Sequence, residues 1–597
     1  MDLTEFYGKG KRGGVFLPPV NATVSDIEES DDSEPEIFAS SDDDPDFMPE
    51  TETNGLVVIL ESDSVSDSAS DSEEHVDNAP LPVPSTSNTT SGQKKKSVSF
   101  DWVKSDIKAT SIDLSPVFDS EEHSPLQFFK RYFDTAIIKM IVDQTNLYSI
   151  QQTTLSVNTN VNEIEQFCGV LLYMGIVSMP SYTDFWAQTT SCEKVTSIFS
   201  LERFQKLRRY LHFANNENTS NSEDRLYKIR PVLDAVVKNC RTQKQEPQCS
   251  IDEMMVPYKG ARADNLRQYI QNKPHKWGFK FFVRAGISGI IYDFLPYTGK
   301  GMLIDLSEEE REFGIGGQVV IQLCKTIPNT LNARVYFDNF FCTLALIAYL
   351  KQHNIDSLGT LQKNQVKGCP VQDDKSLQKC GRGSYDFRMD RAMGLILVKW
   401  VDNKVVCLAS SFCGIEPVST VKRWNRVEKK KVAVPCPSIV KQYHKHVGGV
   451  DLAGMLIELY RVPLKSRRWY LRLFGYVLDL CTVNSWLVYR RETNDKKTSL
   501  KAFRGSIANA LMAAGKRTAG RPSVEPSSQP QKKKRVVVPI PVQDARFSNL
   551  EHWPEHGPKG RCRYCPTGFS TIRCSKCNLV LCFVPNRNCF KAFHNKK

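Results

Sequence analysis

The sequence predicts a multidomain α+β protein, and three observations predict it. Apolar residues recur at spacings of three and four in two distant blocks, from Pro125 to about Gln248 and again through "RWYLRLFGYVLDLCTVNSWLVYRR", Arg468 to Arg491. Strand-forming runs dominate between them, from Ser250 to about Thr360. Six cysteines and a histidine at metal-ligand spacings crowd the last 40 residues.

A length of 597 residues accommodates several domains. The formal charge of +12 conceals a split. Gly13 to Gln93 holds no Lys or Arg but 20 Asp and Glu, so the remainder carries 79 basic against 47 acidic residues, a net +32. A body that basic suits a polyanionic partner, because Lys and Arg displace counterions from phosphates. No run of about 18 apolar residues occurs, and the start "MDLTEFYGKGKRGG" lacks an apolar signal core. Neither a membrane span nor secretion is therefore expected. Most of the 18 cysteines are scattered singly in apolar stretches (Cys168, Cys324, Cys342, Cys481), as small core residues of a reducing compartment are.

Taken in order, residues 1–120 read as a disordered acidic region. Stretches such as "SDIEESDDSEPE" and "SDSVSDSASDSEEH" bury too little apolar surface to offset chain entropy. Serines followed by acids there suit acidophilic kinases, and Val57 to Leu60 in "GLVVILESDSVSDS" resembles a SUMO-interacting strand. Helical periodicity marks 121–249, in "LQFFKRYFDTAIIKMIVDQTN", "VNEIEQFCGVLLYMGIV" and "LERFQKLRRYLHFA". Between Leu361 and Pro437 turns and β-formers alternate, and "LILVKW" and "KVVCLAS" flank Val401-Asp402-Asn403 as a hairpin would. A linker, 516–550, carries the run Lys532, Lys533, Lys534 and Arg535, which resembles a nuclear localisation signal.

Three aspartates stand in apolar settings far apart in the chain: Asp252 in "QCSIDEMMVPYKG", Asp338 in "ARVYFDNFFCTLALIAYL" and Asp451 in "HKHVGGVDLAGMLIELYR". Taken singly, each has an ordinary alternative. Asp338 or Asn339 can cap the following helix, Asp252 can sit in a turn and Asp451 can be an N-cap. Taken together, they are what a two-metal phosphoryl-transfer site needs, since Mg²⁺ wants hard oxygen ligands and paired ions serve attacking and leaving oxygens.

Basic and aromatic residues follow the first of them. Arg262, Arg267, Lys273, Lys276 and Lys280 interleave with Tyr269 and Trp277, and Arg461, Lys465, Arg467, Arg468 and Trp469 form a second such group. Cations for phosphates and aromatic faces for exposed bases make both candidates for DNA contact. In the tail, 551–597, Cys562-x2-Cys565 and Cys574-x2-Cys577 precede Cys582, Cys589 and His594. Such paired knuckles bind tetrahedral Zn²⁺, two ions by count, and give a short tail the core it otherwise lacks. In cross-brace order Cys562, Cys565 and Cys582 share one ion, completed by His552 or His556. Cys574, Cys577, Cys589 and His594 hold the other.

From about Pro125 onward the chain resembles the piggyBac family of DNA transposases. The likeness is carried by "SIDEMMVPYKG", "NKPHKWGFKFF", "VYFDNFF", "YHKHVGGVD" and the terminal Cys/His cluster. The resemblance implies an RNase H-like α/β catalytic core, 250–361 and 438–456, interrupted by a β-rich insertion, 362–437. A helical dimerisation and DNA-binding domain, 121–249 and 457–515, flanks it, and the zinc module reads the transposon's terminal DNA. It also implies a homodimer on double-stranded DNA that cuts and joins strands at TTAA targets, with Asp252, Asp338 and Asp451 holding Mg²⁺ (or Mn²⁺). One departure stands out. The family commonly shows a further aspartate three residues after the last of these, where this chain has Gly454.

Overall fold

A computed structural model of the chain describes residues 100–107 and 124–595, apart from 219–223, 261–262, 264–265, 271–274, 300–301, 304, 367, 426–427, 516–539, 542–545 and 548–551. Arg262, Lys273, the run Lys532 to Arg535 and the acidic motifs before residue 100 lie outside the described residues.

One strand arises where the sequence predicts disorder. β1 (Trp102–Val103) pairs antiparallel with a strand of the main sheet, Trp102 opposite Asp390. The segment is pinned further by Asp106, whose carboxylate accepts from the N–H groups of Ile415 and Glu416 at 2.9 and 3.1 Å. The low hydrophobicity that marks the acidic region ends before "FDWV", and a region boundary drawn at residue 120 runs past it.

The main helices of the next stretch are α1 (Pro125–Lys130), α2 (Thr135–Thr153), α3 (Val161–Ile176), α4 (Leu201–Tyr210) and α5 (Arg230–Arg241). Their starts are written in the sequence. Ser124 caps α1 in a capping box with Gln127, Asp134 caps α2, Asn160 caps α3 and Ser200 caps α4.

The sheet holds β1 and nine more strands: β2 (Gln248–Pro257), β3 (Arg267–Tyr269), β4 (Trp277–Gly286), β5 (Ile291–Pro296), β6 (Arg334–Phe337), β7 (Asp356–Thr360), β8 (Tyr385–Asp390), β9 (Leu395–Val401) and β10 (Val405–Ser410). Its order is β1-β8-β9-β10-β7-β6-β2-β4-β3, with β5 also on β4. β2, β6 and β7 run parallel, and β4, β5 and β10 run antiparallel to their neighbours. The expected β9–β10 hairpin is present, with Val401 opposite Val405. Strands β8 to β10 continue the sheet beyond β7, so this part of the β-rich segment is built into the core sheet. A separate ribbon, β11 (Ser419–Asn425) with β12 (Lys430–Cys436), completes the segment.

Parallel strands need crossovers, and these are helical. α6 (Ile315–Cys324) leads to β6 and α7 (Leu344–Gln352) leads to β7, and both pack on the face of Val335 and Phe337. Tyr336 points the other way, as strand alternation requires, against α8 (Ser438–His446). α9 (Gly449–Glu458) lies over β2 and β4 on that side. The last two body helices, α10 (Trp469–Thr493) and α11 (Leu500–Met512), pack back on α1 and α3 and share their core. Gly169 is required there, because a Cβ would stand 2.9 Å from both the Ala508 carbonyl and Leu511. Inside this joint Arg504 meets Asp479 at 2.7 Å, both buried. Burial pushes the Asp479 carboxyl up to about 6 although Arg504 pulls it down. Among the described residues no helix is long and apolar enough to cross a membrane.

Candidate active site and metal centres

The parallel register of β2 and β6 sets Ile251 beside Phe337. The next residue on each strand is an aspartate, so Asp252 and Asp338 emerge side by side where β6 ends. Asp338 is the first polar residue after four buried ones, and it opens a turn in which its carboxylate accepts from the Phe340 N–H at 3.0 Å. It does not cap α7. Thr343 does, accepting from Leu346. Asp252 lies within β2 and not in a turn, and Asp451 is the third residue of α9, past its N-cap Gly448. The three ordinary alternatives are thus set aside.

Carboxylate oxygens of Asp252, Glu253 and Asp338 lie within 4.8 Å of one another. Like charges this close repel, and a cation offsets them. The donor set is all hard oxygen, which fits Mg²⁺ or Mn²⁺. Tyr443 of α8 stands at the end of β7, its hydroxyl 3.5 Å from Thr360 Oγ1. Burial first, then the Asp338 and Asp252 charges, hold its phenol well above its usual range and so protonated.

Asp451 stands outside that 4.8 Å group, and Glu253 stands inside it. The start of α9 is nonetheless seated beside Asp252, since the Val450 N–H reaches Ser250 Oγ at 3.2 Å. Gly449 permits this approach, because a Cβ would press on the Gly286 carbonyl and lie 2.8 Å from Ser250 Oγ. Gly454 lies one turn on, at ordinary helical backbone. Among the described residues, an added Cβ there would meet Met254 Cε alone, at 3.7 Å, two residues beyond Asp252 on β2.

Glu253 entered the group without a sequence signal to promote it. Its carboxylate pairs with Lys280 Nζ at 3.0 Å, and both side chains are little exposed. That ammonium also lies 4.7 and 4.8 Å from the Phe282 and Phe340 rings. Lys280, expected at a DNA contact, is thereby placed at the carboxylates as a charge that offsets one of them.

The other expected DNA-contact residues divide. Arg267 lies 4.5 Å over the Trp277 ring, and Tyr269 packs 5.0 Å from it, on the β3–β4 hairpin. Tyr269 and Trp277 are exposed, as are Lys276, Lys465 and Arg467. Arg461 is half-buried and pairs with Glu458 at 3.1 Å. Arg468 and Trp469 are corrections. Arg468 is buried, its guanidinium bound to the carbonyls of Arg208 and Arg209, and Trp469 packs against Phe279. A Pro-led loop entering a helix carries its last residues into the core, and charge alone did not reveal this.

In the tail, β13 (Pro554–Arg561) pairs with β14 (Phe569–Cys574), and α12 (Cys589–His594) closes the module. Two groups of donor atoms form, each within 4.8 Å: Cys562, Cys565, Cys582 and Cys589, and His552, Cys574, Cys577 and His594. The expected partition is corrected in one respect: Cys589 joins the first group, and His552 takes its place in the second. His556 joins neither, being an exposed residue of β13 opposite Ile572. The reason is α12, whose first residue, Cys589, faces one cluster while its last, His594, reaches the other.

Distances within the clusters fit tetrahedral zinc. Cys565 and Cys582 sulfurs are 3.8 Å apart, and Cys577 Sγ is 3.5 Å from His552 Nδ1 and His594 Nε2. Metal–sulfur bonds near 2.3 Å and metal–nitrogen bonds near 2.0 Å give tetrahedron edges of about 3.8 and 3.5 Å. A disulfide would need about 2.05 Å. His594 Nδ1 contacts the Phe590 carbonyl at 2.7 Å, which turns Nε2 toward the cluster.

Comparison with known proteins gives the chain's family and fold relatives. Residues 124–486 match a family model described as Transposase IS4. The chain is 29% identical over 587 residues to human piggyBac transposable element-derived protein 3, covering 95% of this chain and 94% of that one. It is 30% identical over 478 residues to human piggyBac transposable element-derived protein 2, covering 78% and 77%. Its fold resembles that of a piggyBac transposase solved as a synaptic complex with hairpin DNA, with a TM-score of 0.55 and 23% identity over 77% of this chain and 95% of that one. A shared sequence along nearly the whole length and a shared architecture place the chain in the piggyBac family of transposases and transposase-derived proteins.

Proposed function

We propose that the chain is a metal-dependent, piggyBac-like cut-and-paste transposase that cleaves and joins DNA strands at TTAA targets. The observation that carries this is the meeting of Asp252 and Asp338 at adjacent strand positions, with α9 bringing Asp451 to the same side. The strand order β5-β4-β2-β6-β7, antiparallel then parallel, supports an RNase H-like core. Asp252, Asp338 and Asp451 would hold Mg²⁺ (or Mn²⁺), which supplies Lewis acidity and an activated oxygen nucleophile when bound. Glu253 keeps Lys280 at the site, where its ammonium faces incoming phosphate. The exposed Tyr269–Trp277–Arg267 group offers faces on which unpaired bases stack.

The remaining parts follow the same reading. The helical body dimerises, the zinc module holds terminal DNA, and Lys532 to Arg535 direct the chain to the nucleus. The acidic N-terminal region offers SUMO and kinase contacts. A second reading, a transposase-derived DNA-binding protein without cleavage, is favoured by Gly454, which leaves a carboxylate position empty.

Nicking of a labelled terminal-repeat duplex in Mg²⁺ separates the two. Wild type should nick and Asp338→Ala should not; equal activity would overturn the enzyme reading. Gly454→Asp should raise wild-type nicking. The backbone there is helical and, among the described residues, the new Cβ meets only the end of a methionine, so the carboxylate enters without strain on the face that bears Asp252. Misplacement by about 1 Å costs on the order of 100-fold, so the gain should fall within that range. No gain would show that the acid is not part of this copy's chemistry.

A further inference from the structure

The β11–β12 ribbon has two unlike faces. Inward, Val421, Val432 and Val434 pack on the core under α8, and Arg423 binds Asp402 at 3.0 Å. Asp402 is also held by Arg382, which donates to the Trp424 carbonyl at 2.9 Å. Outward, Thr420, Lys422 and Trp424 on β11 stand opposite Pro435, Ala433 and Lys431 on β12, and all six are exposed. Trp424 is 56% exposed, between two lysines that flank it along and across the ladder. Seven residue pairs in unbroken register, anchored from beneath, make the face rigid.

A single exposed ring is ordinary by itself, and here two further features give this one a reason. Ribbon width supplies one, since the major groove of B-DNA admits a two-stranded β-ribbon. Charge supplies another. Lys422 and Lys431 share the outer face, Lys429 and Lys430 sit at the turn end, and Glu428 beside Lys430 is the acid there. The ribbon runs directly into α8, which packs under the sheet beside Tyr336.

We propose that this outer face is a second duplex-DNA contact: Lys422 and Lys431 meet phosphates while the Trp424 ring packs on the groove edge. The proposal rests on the DNA-processing reading and adds to it a surface apart from the cleavage residues.

The test measures binding of the full chain to a fluorescein-labelled 40-base-pair duplex of arbitrary sequence, without divalent metal, from about 0.1 to 0.4 M NaCl. Lys422→Gln with Lys431→Gln should lower the slope of log affinity against log salt by about 1.8, at roughly 0.9 per lost phosphate contact. Trp424→Ala should weaken binding roughly 5- to 10-fold with the slope unchanged. All three side chains point to water, so melting temperatures should match wild type and serve as the folding control. Wild-type affinity and slope in both variants would overturn the proposal. So would poly-glutamate of matched charge competing as well as duplex, which would mark the face as one for acidic protein. Nicking by wild type against Asp338→Ala is read separately. The ribbon contact can fail while nicking stands, and nicking can fail while the ribbon still binds.

Discussion

Chelation of zinc should unfold residues 552–595 and leave the catalytic body folded. The module's core consists of cysteines with Leu579, Leu581, Phe590 and Phe593, closed by short hairpins and a helix of six residues. A unit of this size rarely buries enough apolar surface to fold unaided. Structural zinc contributes about 10–16 kcal/mol in comparable peptides, so its loss exceeds any stability the module holds otherwise. Gly568 shows how tightly the backbone wraps the first cluster: a Cβ there would lie 2.7 Å from Cys565 Sγ and closer still to Cys582. Native mass spectrometry of the full chain should find two zinc equivalents, and Cys574→Ser should release one. Hydrogen exchange after chelation should show protection lost across 552–595 and kept in β2 and β6. Protection that survives chelation in the module would reject the zinc assignment.

The parts of this site that the sequence announces are those fixed by local pattern. Paired Cys-x2-Cys knuckles point to two donor clusters, and Asp252 and Asp338 lie in or beside strands as their apolar runs suggest. What stayed hidden depends on which elements meet in space. His552 sits ten residues before the first cysteine, and only the path of the β13–β14 hairpin brings it to Cys574. The exchange of Cys589 depends on the direction of α12, which ligand spacing does not encode. Glu253 gave no signal because adjacent strand residues face opposite ways, yet its carboxylate still reaches the group. Arg468 looks like a surface cation until α4 supplies two carbonyls for it. The ribbon's exposed tryptophan is legible as alternation in "STVKRWN", but its anchoring comes from Arg423 on Asp402, 21 residues earlier in the β9–β10 turn.

The most decisive substitutions compare the two acids that compete for the third place. Asp451→Asn should cut nicking on the order of 1,000-fold, at the upper end of what one lost electrostatic group costs, while Glu253→Gln should keep it within roughly tenfold. Family resemblance names Asp451, and the 4.8 Å grouping names Glu253. Charge and direction decide between them. Glu253 lies 3.0 Å from Lys280, so the pair carries no net charge to offer a cation, and Gln retains an oxygen for that ammonium. Strand alternation also starts Glu253 on the face of its cross-strand partner Phe282, opposite to that of Asp252, although its carboxylate reaches the group. Asp451 is exposed, sits in the first turn of a helix docked on Ser250, and shares that side with Met254 and Asp252. A helix start favours a carboxylate there by itself, so Asp451→Asn should cost little more than about 1 kcal/mol of stability and still lose activity. Nicking rates and melting temperatures measured on the same preparations separate the two effects. Loss of nicking in Glu253→Gln with activity kept in Asp451→Asn would move the third ligand to Glu253 and make Lys280 its regulator.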